Sequence, residues 1–441
     1  MVATASCTEH GTIVWVEVGP AEPHGPSVAR CYAALQPVHD AQLPLRSLPS
    51  LVARRLPFAA IPRSAWDRLL AATARPTPFS RWAFHRAWWE AYGAAAHEDY
   101  MVCVPVAAAG ALDETRRAAL VGAGAAVDPA SIIAIAPLMH RHEVEPDDAI
   151  TRTTLRHEAG LPSTPVPPTA KAVFFGASYH ADYATLLCAP ADLRAAAAAV
   201  VDTLAAGPDL AHGAQDWDVV DLRRLRRDDP ALEALEAAFR AAAPAQGWSV
   251  VQETEDVCPV VHLSTGEWEP YLGSLDAKDR HEIRRKIRRA EAAGQVRFET
   301  IADPADFVDE FIAIHQARWG AEGLFPDTEG GARSRRFLAR LAALEGPGGQ
   351  LALGRLSVGG ETIFASAAFH DGTTAYFYNA GSAPAARNLS PGVIGVAWYL
   401  RDRLAAGCRT FDFLRGSEPY KYEWGAVDET IHRLLVTRTR S

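Results

Sequence analysis

TTAYFYNAGSAPAARNLSPGVIGVAWYL, residues 373–400, reads as a strand, a short connection and a helix. Alternation along the strand places Tyr376 and Tyr378 on one face and Phe377 and Asn379 on the other. Ser390 marks the helix start, because its hydroxyl can accept from an otherwise orphaned N–H, and Pro391 suits the first helical position, where it has no hydrogen bond to lose. Gly392 is not explained by a cap: glycine in a first turn weakens a helix unless something must approach the backbone closely. An anion is such a partner, since helix N-termini attract negative charge. A capped helix and a phosphate cradle are therefore both open, and they use the same N–H groups.

Outward from this stretch, periodicity and turn signals from about residue 295 predict the order β-α-α-β-β-β-α-β-α-β. QVRFETIAD is a strand, ADFVDEFIAIHQARWG and RSRRFLARLAALEG are helices, and QLALGRLSV, ETIFASAAFH and TTAYFYNAG are strands joined at Gly359-Gly360 and Asp371-Gly372. CRTFDFLRG, EPYKYEWGA and TIHRLLVTR then supply a strand, a short helix and a final strand. The first half repeats this order more faintly, from LVARRLPF through WSVVQETEDVCPVVHL, with Leu204-Ala205-Ala206-Gly207 ahead of VVDLRRL paralleling Leu404-Ala405-Ala406-Gly407 ahead of TFDFLRG. We read a tandem duplication, with copies at 51–265 and 266–441. The first copy enters its long helix through LLCAPADLRAAA, without a glycine, so only the second is equipped for a pyrophosphate. Residues 1–50 fit neither copy; TIVWVEVG can be an edge strand, ahead of a Pro-rich segment to which no role is assigned.

With 441 residues, 49% hydrophobic and 22% charged, the chain is globular and long enough for more than one domain. A formal charge of -9 argues against a protein coated by nucleic acid, DNA included, and leaves room for a local basic patch. The six cysteines, at 7, 31, 103, 188, 258 and 408, show no paired spacing, which fits reduced thiols and a cytoplasmic location. No stretch approaches the roughly 20 apolar residues of a membrane helix, so no transmembrane segment is expected. His140 and His142 alternate without a completing carboxylate or cysteine, so no metal is expected, and no Gly-x-Ser-x-Gly nucleophile occurs.

RHEIRRKIRRAEAAG, IHQARWG, LSPGVIG and FDFLRGSEPYKYEWG resemble the CelD/BcsL-type acetyltransferase family, GNAT-related proteins associated with cellulose and other exopolysaccharide loci. The resemblance runs from about residue 60 to the C-terminus and is strongest after 270. More distantly, tandem halves ending in an aromatic-Lys motif are similar to the Fem peptidoglycan aminoacyltransferases. The resemblance implies an α/β (α+β) fold of tandem GNAT-like domains, each a twisted mixed sheet with helices on both faces, splayed between its fourth and fifth strands. It implies acetyl-CoA or another acyl-CoA as donor, and a small-molecule, sugar or glycan-precursor acceptor that attacks the thioester directly. The alternatives are a Fem-like ligase using aminoacyl-tRNA, and a non-catalytic binding protein.

An acyltransferase needs a phosphate site, groups that polarise the carbonyl, and a base. Arg387 and Gly392 match the Arg-x-x-Gly-x-Gly donor signature; Ser390 stands where its first glycine would be, and Pro391 removes a donor. On a splayed fourth strand, Tyr378 and Asn379 would line the acyl site, with Tyr376 toward the substrate. Lys421 matches the aromatic-Lys motif and could hold the oxyanion, while Tyr420 or Tyr422 could protonate the leaving thiolate, with Glu418 and Trp424 beside them. Asp412 is read as a base or as the partner of Arg415 or a neighbouring loop. His315 is the candidate base on its helix, sharing a face with Trp319, with Arg318 adjacent. Arg280, Arg284, Arg285 and Arg288 form a basic helix, either a solvated face or a guide for an anionic partner: CoA phosphates, a sugar nucleotide, or tRNA under the alternative.

Overall fold

The computed structural model describes residues 5–7, 13–15, 50–95, 97–120, 127–141, 163–167, 169–177, 180–207 and 216–438. Met1–Ser47 and Leu48–Ser441 are two compact units. In the first, β1 (Ala5–Cys7) and β2 (Ile13–Trp15) pair antiparallel, with Ala5 opposite Trp15. The Pro-rich remainder and His142 lie outside the described residues.

In the second unit the first half runs β3 (Leu51–Arg55), α1 (Arg63–Ala72), α2 (Trp82–Tyr92), β4 (His97–Glu98), β5 (Met101–Pro105), α3 (Ala109–Leu120), β6 (Ala134–Ala136), β7 (Leu138–Arg141), β8 (Ala172–Phe175), β9 (Leu187–Cys188), α4 (Leu193–Ala205), β10 (Val219–Arg226), α5 (Pro230–Gln246) and β11 (Trp248–His262). Pro137 cannot donate to a ladder, and the apolar run SIIAIAPLM, residues 131–139, divides there into β6 and β7. The pieces join different sheets: β6 enters the order β3-β5-β6-β9, and β7 a sheet shared with the second half.

The second half runs α6 (Trp268–Ser274), α7 (Ala277–Ala293), β12 (Val296–Thr300), α8 (Val308–Trp319), α9 (Glu329–Glu345), β13 (Leu351–Val358), β14 (Glu361–His370), β15 (Thr374–Ser382), α10 (Pro391–Ala405), β16 (Thr410–Asp412), α11 (Pro419–Tyr422) and β17 (Val427–Arg438). From β12 onward this is the order the sequence predicts. The large sheet has the order β12-β13-β14-β15-β16-β11-β17-β10-β8-β7-β4. Each half thus lends its last strand to the other: β11 lies between β16 and β17, and β17 between β11 and β10.

Helices cover both faces. α8 and α9 pack beneath β13–β15 around Phe311, Phe337 and Phe369, and α2 of the first half enters the same cluster through Phe84 and Trp88. Arg81 pairs with Glu345 at 3.0 Å across this contact. On the opposite face α6, α7 and α10 bury Tyr271, Ile283 and Ile394 against Phe377 and Phe411. In the first half α4 and α5 pack Val200 and Leu235 on Leu222 and Leu434, so the borrowed strand β17 is part of that core.

Candidate active site

β15 and β16 pair in parallel over three positions, Thr374 with Thr410 through Tyr376 with Asp412. β16 ends there, while β15 continues to Ser382 and the chain after β16 turns into α11. The strands therefore part beyond Tyr376 and Asp412, opening a cleft of about 380 Å³. One wall is Phe377, Tyr378, Asn379 and Ala380, and the other is Phe413, Leu414 and Arg415 with Glu418, Tyr420 and Lys421. His315, Trp319, Glu322, Gly323 and Leu324 close a third side, and His180 and Asp182 reach in from the first half.

His315 is held by close packing. A Cβ on Gly381 would lie 2.6 Å from the His315 backbone, and one on Gly323 would lie 2.6 Å from its Cε1, so both glycines permit α8 and the following loop to close on the imidazole. Burial pulls the His315 pKa down to about 4, opposed by the Asn379 side chain. The ring is thus neutral near pH 7, and among the described residues its buried Nδ1 has no hydrogen-bond partner. Trp319 stands at the mouth, 40% exposed, with its indole N–H donating to the Ala380 carbonyl at 2.9 Å. Arg318 stacks on Trp319 at 4.5 Å and does not line the cleft.

Lys421 differs from expectation. It is 3% exposed, and Nζ donates to the carbonyls of Leu414, Arg415 and Gly416 at 3.0, 2.8 and 2.9 Å, with Glu418 Oε2 at 2.9 Å. An ammonium has three protons, and these carbonyls take them, so the cation organises the wall instead of facing an oxyanion. Leu414 is left-handed, with φ of 58°, a strained state for a branched side chain. The strain is held from both sides, by Lys421 on its carbonyl and by Asp412 Oδ1 accepting from its N–H at 2.7 Å. Asp412 Oδ2 also accepts from the Tyr183 hydroxyl at 2.8 Å. Burial raises the Asp412 pKa to about 6, with the Tyr183 and Leu414 hydrogen bonds opposing. Asp412 therefore does not enter the cleft as a base, and Arg415 pairs with Asp182 at 3.2 Å instead of with Asp412.

Three other candidates lie elsewhere. Trp424 is 1% exposed in the core on the α10 side, and Tyr376 is buried with its hydroxyl on Asp371 at 3.1 Å. Tyr422 is outside the cleft, donating to Asp428 at 2.7 Å. His315, Trp319, Tyr378, Asn379, Glu418, Tyr420 and Lys421 are brought together. His180 and Asp182 were missed; their signal is the stretch HADY, polar residues at close spacing a few positions after the apolar strand β8.

The start of α10 is as predicted at Pro391, but Ser390 does not cap it through its side chain. Ser390 is left-handed, with φ of 56°, and its hydroxyl oxygen accepts from Arg289 of α7 at 2.7 Å. The N–H groups of Val393 and Ile394 already donate to the Ser390 carbonyl. What this helix end offers an anion is Arg387, Arg289 and the backbone at Gly392, where none of the described residues lies within 4 Å of an added Cβ. The basic helix is largely committed locally: Arg280 donates to the Gly273 and Leu275 carbonyls, Arg284 pairs with Glu269 and Arg285 with Glu282, while Arg288 is exposed.

Residues 277–422 match the family model for an acetyltransferase (GNAT) domain, so the second half carries such a domain. No curated protein matches the chain. Among solved structures it is similar to FemX, at 9% identity over 85% of this chain and 96% of that one, with a TM-score of 0.48. It is also similar to a conserved protein of unknown function from Bacteroides thetaiotaomicron, at 11% identity over 86% and 98%, TM-score 0.47. A tandem GNAT protein from the clavulanic acid biosynthesis pathway gives 10% identity over 89% and 99%, TM-score 0.40.

Proposed function

We propose that the protein is an acyl-CoA-dependent N- or O-acyltransferase, with its reaction centre in the cleft between β15 and β16. The observation that carries this reading is the cleft itself: a gap in the sheet that gathers a neutral imidazole, two phenols and an amide on fixed elements of a GNAT domain. The donor's phosphates would be held at the start of α10 by Arg387, Arg289 and the open backbone at Gly392. The thioester would then lie along β15 beside Tyr378 and Asn379.

In the transfer step the acceptor's amine or hydroxyl attacks the thioester carbon, forming a C–N or C–O bond as the C–S bond breaks with its electron pair on sulfur. His315 takes the proton the acceptor loses, and Tyr420 supplies the one the thiolate gains. Lys421 and Asp412 keep the opposing wall in place. The acceptor enters past the exposed rings of Trp319 and Tyr420; the motifs resembling the CelD/BcsL type support a sugar or envelope-polysaccharide precursor. Local pairing of Arg280, Arg284 and Arg285 weakens the case for tRNA as donor.

Isothermal titration with acetyl-CoA tests the reading. Saturable heat, reduced at least tenfold in affinity by Arg387→Ala, is expected; no heat with short or long acyl-CoAs refutes the donor assignment.

A further inference from the structure

The first half contributes more to this cleft than a wall. His180 is 5% exposed and stacks on Phe337 with centroids 4.2 Å apart. Both of its ring nitrogens are engaged: Nδ1 lies 3.0 Å from the Tyr378 hydroxyl and Nε2 lies 2.7 Å from the Tyr92 hydroxyl. Tyr92 continues to Ser334 Oγ at 2.8 Å, and Ser334 is 0% exposed. Two and three residues on, Asp182 and Tyr183 bond Arg415 and Asp412 on the opposite wall. The segment from His180 to Tyr183 thus spans the opening and holds both strands that part there.

We propose that His180 is a positioning residue that orients the Tyr378 hydroxyl toward the donor's thioester carbonyl. This rests on the acyl-CoA reading above. The argument is one of counting protons. Burial pulls the His180 pKa down to about 3, so the ring is neutral and has one N–H. The chain Ser334, Tyr92, His180, Tyr378 therefore has two ordered arrangements. With the proton on Nε2, Tyr378 donates its O–H inward to Nδ1 and offers the cleft only lone pairs. With the proton on Nδ1, the ring donates to the Tyr378 oxygen, Tyr92 donates to Nε2, and the Tyr378 O–H is released into the cleft. Burial keeps the Tyr378 phenol protonated. A carbonyl placed beside Tyr378 selects the second arrangement, and the phenol meets it already aligned.

The test compares acetyl-CoA with CoA, which lacks the carbonyl, by titration calorimetry on the full chain. His180→Phe keeps the ring stacked on Phe337 and removes both nitrogens; Tyr378→Phe removes the hydroxyl. Each should weaken acetyl-CoA by about five- to tenfold, the size of one neutral hydrogen bond, and leave CoA unchanged. The double variant should be no weaker than either single one, and His180→Gln should recover part of the loss. If His180→Phe fails to fold, His180→Gln and Tyr378→Phe carry the comparison. Equal weakening of both ligands, or losses that multiply in the double variant, would mean that His180 only supports the fold and would overturn the proposal. Unchanged acetyl-CoA affinity would do the same. If the unmodified protein binds neither ligand, the acyl-CoA reading falls, and this proposal with it.

Discussion

Lys421→Met separates a cation that builds the site from one that performs chemistry in it. Methionine keeps most of the stem and removes the ammonium, leaving the carbonyls of Leu414, Arg415 and Gly416 to face one another in a buried corner, with Glu418 beside them. Removing one member of a buried charged cluster costs about 3–5 kcal/mol, in line with about 1–3 kcal/mol for each strongly orphaned polar group. Unfolding entropy of roughly 2.1 cal/mol/K per residue gives about 0.8 kcal/mol/K for the Leu48–Ser441 unit, so Tm should fall by about 4–6 °C. Scanning calorimetry reads this directly. Lys421→Arg should not rescue it, because a planar fork cannot converge on three carbonyls as an ammonium does. Acetyl-CoA titration well below Tm then reports how far the wall has moved. A Tm within about 1 °C of the unmodified protein, combined with lost acyl transfer, would refute the reasoning and return Lys421 to the reacting carbonyl.

The start of α10 gives a second expectation: Gly392→Val has room for its Cβ and should cost under about 1 kcal/mol in urea melts, yet weaken acyl-CoA binding at least tenfold. Ser390→Ala loses only the Arg289 contact and should have the smaller effect on binding; equal effects would count against a phosphate at Gly392. Gly323→Ala would bring a methyl within 2.6 Å of His315 Cε1 and should lower turnover at least tenfold with about 1–3 kcal/mol of destabilisation, read by thiol release and by melts. His85 and His180, with pKa pulled to about 3, and His315, to about 4, are protonated more readily when unfolded. Their stability is therefore present above about pH 6.5 and falls as pH drops toward 5, by up to about 1.4 kcal/mol per unit for each. Asp412, raised to about 6, opposes this below pH 6. A urea midpoint that stays level from pH 7 to 5 would contradict this balance.

Elements from β12 to β17 were legible because each signal was local: short glycine turns between β13, β14 and β15, proline at the start of α10, and unbroken periodicity in α8 and α9. Signals that depend on distant partners were not. Nothing in SIIAIAPLM says which sheet each side of Pro137 will join, since that depends on β5 and β8. The candidate site divides in the same way. His315, Trp319, Tyr378, Asn379 and Tyr420 line one cleft, and residue type and position on an element suffice to nominate them. Lys421 lines the cleft, but its engagement by three backbone carbonyls from 414–416 has no signature in sequence. His180 escaped because its partners, Tyr92 and Tyr378, lie 88 and 198 residues away.

The exchange of β11 and β17 has a consequence for how the chain is made. The core of α4 and α5 includes Leu434 and Val436, so the first half, although translated early, waits for the last strand to leave the ribosome before its sheet is filled. Pairings this distant in sequence close slowly, and the exposed edge of β10 is open to mispairing meanwhile. A chain truncated near residue 425 should be captured by chaperones and cut by protease within α4 and α5, and the released chain that includes β17 should be protected at both.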